Sequence, residues 1–241
     1  MSDDAPNPSV NDLGQPIGSP VPEWAARPAP PDEPMVGSHC RLERLDPARH
    51  AADLHSANLL DTDGSNWTSL PYGPFATLDD HRVWAEGVAG KDDPQFWAIV
   101  DARTQQAVGV ASFLRTDRAN GSIEVGHINY SPMLQRTPAA TEAMHLMMRR
   151  AFDELGYRRY EWKCDSLNTP SRKAAARLGF TYEGTFRQAV VYKGRNRDSA
   201  WFSITDGEWP AVAAAFAAWL DPANIDDDGR QRRSLADLRG A

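Results

Sequence analysis

The segment from Leu134 to Phe152, LQRTPAATEAMHLMMRRAF, holds the residues of the chain best suited to bind an anion. Thr137 suits the cap of a helix, and Pro138 suits its first position, because proline's φ is already helical and it brings no N–H to leave unbonded. The amides of Arg136, Thr137, Ala139 and Ala140 then point out of the helix start, where the aligned peptide dipoles favour a phosphate. Arg136 adds a full positive charge. The small side chains at 139 and 140 let a ligand approach the backbone, as glycine does elsewhere. Read locally, the same residues also make an ordinary helix cap with no ligand, and both readings stay open.

The elements that must position this segment follow from periodicity. Strands are predicted over 39–45, 96–101, 107–114, 122–130 and 158–164, and a hairpin over 182–205 turns near Gly194. Helices are predicted over 47–59, 78–90, 138–155, 168–180 and 209–220, with Gly156 and Gly179 as C-terminal stops. Residues 63–77 are rich in turn formers and aromatics and predict a long surface loop. Strand 122–130, helix 138–155 and strand 158–164 form a βαβ crossover within an otherwise antiparallel sheet, an α+β arrangement. Residues 1–34 hold nine prolines and six acids against one arginine, too little apolar surface to offset ordering, so a flexible or surface-wrapping acidic arm is expected. Residues 35–220 form one domain, and 221–241, with five acids and four arginines, a charged tail.

The formal net charge is −7, which argues against nucleic acid and for a cationic partner. Neither a span long enough for a membrane nor the order of a signal peptide is found, so a cytoplasmic protein is expected. Cys40 and Cys164 lack metal-ligand spacing and read as reduced thiols, with no metal site.

Taken together, Gln135–Ala140, Thr141-Glu142-Ala143, Asn168 with Ser171, and Leu178-Gly179-Phe180 resemble, in order and spacing, the GNAT superfamily of acyl-CoA-dependent N-acyltransferases. The resemblance spans about residues 37–210, and the stretch from Ala140 to Arg187 looks like the RimJ/RimL-type branch. It implies the GNAT fold: a mixed, mostly antiparallel central sheet with flanking helices and an acyl-CoA-binding crossover. Gln135 and Ala140 match the ends of the family's pyrophosphate loop, whereas Pro138 replaces a glycine and removes one amide donor, a loss of about 1 kcal/mol.

What the resemblance implies about chemistry is direct attack of an amine on the thioester of acetyl-CoA, or of another acyl-CoA such as succinyl-CoA. The acceptor would be a protein N-terminus or a small amine; a non-catalytic CoA-binding scaffold is the other reading. Glu124 and His127, on the strand bordering the family's cleft, are candidates for the base. Being three apart they face opposite sides of an ideal strand unless a bulge intervenes. Backbone amides at Asn129 and Tyr130 would hold the pantetheine arm and thioester oxygen. Family members carry a tyrosine acid where this chain has Ala175, so Ser171 becomes the candidate acid. Gln135, Arg136, Thr137, Pro138, Ala139, Ala140, Thr141, Asn168 and Arg172 are the expected donor-binding residues; Arg149 and Arg150 read as solvated. Trp67 and Tyr72 are expected to contact the acceptor, while Trp162 and Trp201 read as core. A homo-oligomer is left open.

Overall fold

The computed structural model of the chain describes residues 9–228 and 230–240. A two-stranded ribbon, β1 (Ser9–Val10) and β2 (Pro16–Ile17), begins it. The main elements are β3 (Met35–Val36), β4 (Cys40–Arg44), α1 (Pro47–Asn58), α2 (Leu78–Val88), β5 (Gln95–Asp101), β6 (Ala107–Asp117) and β7 (Ser122–Tyr130). They continue through α3 (Pro138–Arg149), β8 (Arg159–Asp165), α4 (Thr169–Leu178), β9 (Thr181–Tyr192), β10 (Arg195–Thr205), α5 (Trp209–Leu220) and α6 (Leu235–Arg239). Eight strands form one sheet in the order β3-β4-β5-β6-β7-β8-β10-β9. Every neighbouring pair is antiparallel except β7 and β8, the parallel pair that the crossover through α3 requires.

The two faces of the sheet are covered differently. On one, alternate residues of β5 to β8 (Trp97, Ile99, Phe113, Ile123, Val125, Tyr160, Trp162) pack against α3 and α5, with α4 and α6 at the side. Helix α3 is apolar on two sides, because Ala143, Met144 and Met147 are buried together with Leu146 and Met148. That suits an element held between sheet and helix. On the other face, Phe96, Ala98, Val100 and Val110 pack against α1 and α2, leaving the β8–β10–β9 end of this face uncovered by helix.

Glu142 seats α3. Its buried carboxylate accepts from the amides of Ser38, His39 and Cys40 at 2.8, 2.6 and 2.8 Å, tying the helix to the turn between β3 and β4. After Arg149 the helix widens into one π turn over Arg150–Glu154. Arg150 is 5% exposed there, donates to Glu33 O and pairs with Glu154, so the expectation of a solvated charge is corrected; Arg149 is exposed.

Of the two forms expected of the arm, flexible or surface-wrapping, the structure shows the wrapping one from Trp24 onward, as a strap. Trp24 Nε1 donates to Ala119 O, Arg27 exchanges bonds with Arg118, and Tyr157 and Gln95 donate to the carbonyls of Pro28 and Pro30. These anchors lie by the β6–β7 turn and the start of β8, at the paired end of the crossover. The tail also docks: Leu235 is buried in the main core and Arg239 donates to Ala176 O at the end of α4.

Candidate active site

β7 and β8 pair in register from Ser122↔Arg159 to Val125↔Trp162, and there the pairing stops. The cause lies in β7. Gly126 pairs with Ser112 and Asn129 with Val110, so His127 and Ile128 stand together opposite Ala111. The extra residue is a bulge, with His127 at φ 51°, and a bulge bends and twists its strand away from its neighbour. A wedge opens between the strands, and the β8-facing edge of β7 from Gly126 to Tyr130 has no strand partner.

The bulge also resolves the three-residue spacing. Glu124 meets Lys163, which lies on the sheet face opposite Trp162, and His127 packs on Phe96 of that same face; both candidates therefore lie on the α1 side. They do not meet. Glu124 is 3% exposed, 2.7 Å from Arg115 Nη1 and 2.9 Å from Lys163 Nζ. Lys163 reaches Glu161 at 2.8 Å as well and sits 3.7 Å above the Trp201 ring. Arg159 extends the row to Glu161 and Glu183. Burial pushes Glu161 up, but the hydrogen bonds and charges of Arg159 and Lys163 outweigh it and hold the carboxyl below its ordinary range. A carboxylate held between two cations has no free oxygen aimed at an incoming amine.

His127 stacks on Tyr72, with Nδ1 3.2 Å from the Tyr72 hydroxyl. Burial first, then the charges of Arg115 and Arg197, push its pKa down to about 4, so the ring is neutral at neutral pH. Burial pushes the Tyr72 hydroxyl up, so it keeps its proton. With the Tyr72 hydroxyl as donor to Nδ1, the imidazole hydrogen sits on Nε2. His127 is thus arranged to donate from Nε2 and is a weak proton acceptor.

The loop over this face is less open than expected. Trp67 is 3% exposed and meets Tyr72, Phe75 and His81 edge-on. Gly73, at φ 63°, is where the Trp67 ring comes within 2.3 Å of any added Cβ, so only glycine fits. Trp67 therefore fills the loop's own core, which removes it from the acceptor contacts expected of it; half-buried Tyr72 is the residue that borders the wedge. Trp201 is likewise corrected: it is half-buried on the uncovered face, stacked on Phe186 at 4.4 Å, whereas Trp162 is core as expected.

A ring of long-range bonds encloses the mouth of the wedge. Asn66 Nδ2 donates to Tyr130 O at the end of β7, and Lys193 Nζ donates to Trp67 O and Gly73 O at 2.9 Å each. Arg195 donates to Thr68 O, and Tyr192 OH donates to Asp165 at the end of β8. The tip of the β9–β10 hairpin is thereby joined to the loop on one side and to β8 on the other.

On the opposite face the helix starts line the wedge. Thr137 caps α3, its Oγ1 accepting from Ala140 N at 3.2 Å and donating to Leu134 O, with Pro138 at the first position as expected. Of the four amides expected to be free, Ala140 N is taken by this cap and Thr137 N bonds Leu134 O. Arg136 N and Ala139 N alone have no partner, so the cradle offers two donors there instead of four. Arg136, at φ 62°, carries an exposed side chain with no ion pair. The Gln135 side chain donates to Asn66 Oδ1 and Tyr130 O, and Thr141 Oγ1 accepts from Arg177, so both are structural ties. Tyr130 OH donates to Ala140 O, bracing the start of α3, and the buried Asn129 Nδ2 has no partner.

Asn168 caps α4 by accepting from Ser171 N at 3.1 Å. Trp162 Nε1 donates to Ser171 Oγ at 3.0 Å, which fixes the hydroxyl and leaves its proton to the nearby Cys164 sulfur or to a ligand. Arg172 donates weakly to Ser166 O and lies 5.6 Å from the Tyr182 ring, its guanidinium otherwise exposed. No group of three His, Cys, Asp or Glu suited to a metal occurs among the described residues, and no helix is long and apolar enough to cross a membrane.

Lys163, Arg115, Asn66 and Arg197 were not anticipated. A signal existed for Lys163: Arg159, Glu161 and Lys163 alternate with Tyr160, Trp162 and Cys164, which marks one charged face of β8. None existed for Asn66, whose partners Tyr130 and Gln135 are distant in the chain.

Residues 40–181 match the acetyltransferase (GNAT) domain. A crystal structure of a GCN5-related N-acetyltransferase from Brucella melitensis is 43% identical and superimposes with a TM-score of 0.90, covering 92% of this chain and all of that one. The uncharacterized N-acetyltransferase YokL of the SPbeta prophage in Bacillus subtilis is 29% identical over 133 residues, 55% of this chain and 73% of its own length. A likeness of fold alone, at 20% identity and a TM-score of 0.61, extends to a Salmonella typhimurium acetyltransferase that modifies the N-terminal serine of a 50S ribosomal protein, covering 72% of this chain and 99% of that one.

Proposed function

Because the chain belongs to the GNAT acetyltransferase family, we propose that it moves the acetyl group of acetyl-CoA onto a primary amine by direct attack in a ternary complex. The observation that carries this reading is the wedge opened by the bulge at His127, with unpaired helix-start amides on one face and His127 on the other. The residues fit the donor: Arg136 N and Ala139 N are free, Arg136 and Arg172 are exposed cations at the starts of α3 and α4, and alanines at 139 and 140 leave room for a pyrophosphate. The thioester would lie in the wedge, against the unpaired edge of β7 at Asn129 and Tyr130.

From the other face the amine nitrogen attacks the carbonyl carbon. As the N–C bond forms, charge gathers on the carbonyl oxygen, where the Nε2–H of His127 and the β7 amides can donate. Collapse breaks the C–S bond; the departing thiolate takes a proton from Ser171 Oγ–H or from water, and the proton that the nitrogen sheds as it becomes an amide passes through water to restore that donor. The attacking ammonium must first lose a proton, and no strong base is poised to take it. Glu124 is committed to Lys163 and Arg115, and His127 titrates about three pH units below neutrality. The neutral fraction of the free amine then limits the rate. About a tenth of a peptide α-amine is neutral at pH 7, against about 0.04% of a lysine side chain, which favours an N-terminal α-amine by roughly two orders of magnitude.

Titration calorimetry with acetyl-CoA, succinyl-CoA and CoA tests the donor assignment, and absence of binding by all three would overturn it. The pH profile of kcat/KM tests the rest: the expected rise tracks the acceptor's own amine pKa, with no inflection between pH 5 and 7 from His127, whose depressed pKa keeps it neutral throughout. An inflection that stays fixed when the acceptor's pKa is changed, and that disappears in H127A, would make His127 the base.

A further inference from the structure

The β9–β10 hairpin that roofs the α1 side of the wedge is cationic, although the chain as a whole is formally −7. It carries Arg187, Lys193, Arg195 and Arg197 against Glu183 and Asp198. Glu183 is already matched by Arg159, and Asp198 by the Gln188 amide and Asn196 side chain. Lys193 and Arg195 serve the mouth ring through loop carbonyls. Arg187 is exposed and without an ion pair among the described residues, and Arg197 differs from it in burial. It is half-buried, on the same strand face as Ser199 and Trp201, with Nε donating to Ser199 Oγ at 3.2 Å and the guanidinium 5.9 Å from the Tyr192 ring. Both terminal nitrogens lack any partner among the described residues, and no carboxylate pairs with it.

Arg197 lies just past the Ser199↔Asp165 pair, at the end of β8 where Tyr192 joins the mouth ring, and its charge is among those that lower the His127 pKa. The neighbouring charges cannot serve it: Glu124 and Glu161 are bound by Lys163, Arg115 and Arg159, and Asp165 accepts from Tyr192 OH. A guanidinium fork held on one side by a serine and an aromatic ring, with two parallel N–H groups unused, is shaped for a carboxylate.

We propose that Arg197 is the acceptor-reading residue of this site, and that the acceptor is a primary amine carrying a carboxylate close to the amino group. This rests on the acyl-transfer reading above. It reverses the partner charge that the overall balance of −7 suggests, because the surplus acids lie largely in the arm and tail while the site is lined by the hairpin's cations. Two sources share that chemistry, a peptide N-terminus with acidic residues in its first positions and a free amino acid.

The test measures thiol release from acetyl-CoA with matched acceptors: peptides beginning with aspartate or glutamate, the same peptides with asparagine or glutamine, and lysine-containing versions, beside free amino acids and their amides. In the wild-type protein the acidic acceptor is expected to exceed its amide at least about tenfold in kcat/KM, mainly through KM, with the advantage shrinking as salt rises. R197M is expected to bring that ratio to about one while kcat and calorimetric acetyl-CoA affinity stay within about twofold. R197K, which keeps the charge without the fork, retains part of the preference. Whichever series, peptide or amino acid, responds to R197M identifies the source. Equal kcat/KM for acidic and amide acceptors, or a preference that R197M leaves unchanged, overturns the proposal while acetyl transfer stands. Acetyl-CoA binding without turnover of any amine overturns the acceptor assignment, and no binding at all overturns the acyl-transfer reading itself.

Discussion

The two sides of the wedge are built by different means. The α3 side is made of local structure: a threonine cap, a proline at the first helical position, an asparagine cap on α4 and amides that stay free because a helix start has no partners for them. The α1 side is made of side chains brought together from far apart, with Lys193 reaching Trp67 across 126 positions and Asn66 reaching Tyr130 across 64. Local construction suits a group common to a whole family, a nucleotide pyrophosphate, because any sequence that caps a helix in the right place provides it. Distant construction suits the acceptor, because the hairpin and loop can change without disturbing the sheet.

If the division is right, changes on one side should leave the other intact. The largest effect is expected on the α3 side. Reversing the exposed charge with R136E should weaken acetyl-CoA binding about 10–100-fold by calorimetry, with acceptor KM within about twofold. An equal rise in both constants would show that the sides are coupled through the Gln135–Asn66–Tyr130 tie.

On the α1 side, K163M leaves Glu124 and Glu161 each with one cation instead of two. It should cost about 2 kcal/mol in denaturant unfolding, less than a fully broken buried pair because Arg115 and Arg159 remain. Acetyl-CoA affinity should be unchanged; if it falls with stability, Lys163 also supports the donor side.

The smallest effect sharpens the comparison most. P138G restores one amide donor but gives up the fixed φ that starts the helix. The gain of one hydrogen bond and the loss of backbone restriction are each about 1 kcal/mol, so donor affinity should rise by less than about fivefold while thermal stability falls slightly. A rise of a hundredfold would mean that the proline had disabled the cradle.

Of the fold, the sequence shows nearly every element of the sheet and helices, because burial on one face or two imposes periods of 2 and 3.6 that short stretches display. Of the α3 side of the site, it shows the two caps, Thr137 and Asn168, and the exposed Arg136, but not that Gln135 and Thr141 are tied to Asn66, Tyr130 and Arg177. It overcounted the free amides, since whether Thr137 N turns back to Leu134 O depends on the loop's path and not on its composition.

The α1 side was legible only as a list of candidates. Glu124 and His127 read as alternatives at an uncertain parity; the bulge put them on one face, and then Arg115, Lys163 and Tyr72 assigned each a different state. Trp67 and Trp201 exchanged the places expected of them, because an aromatic in a loop can fill the loop's own core and one in a strand can face the open side. The chain by itself determined its helix starts, its strands and the family they belong to, all properties of residues near one another. Only the tertiary structure decided which charges are neutralised and which remain free, because an ion pair is settled by distance in space, and Arg197 differs from the other cations of its hairpin only in what lies around it.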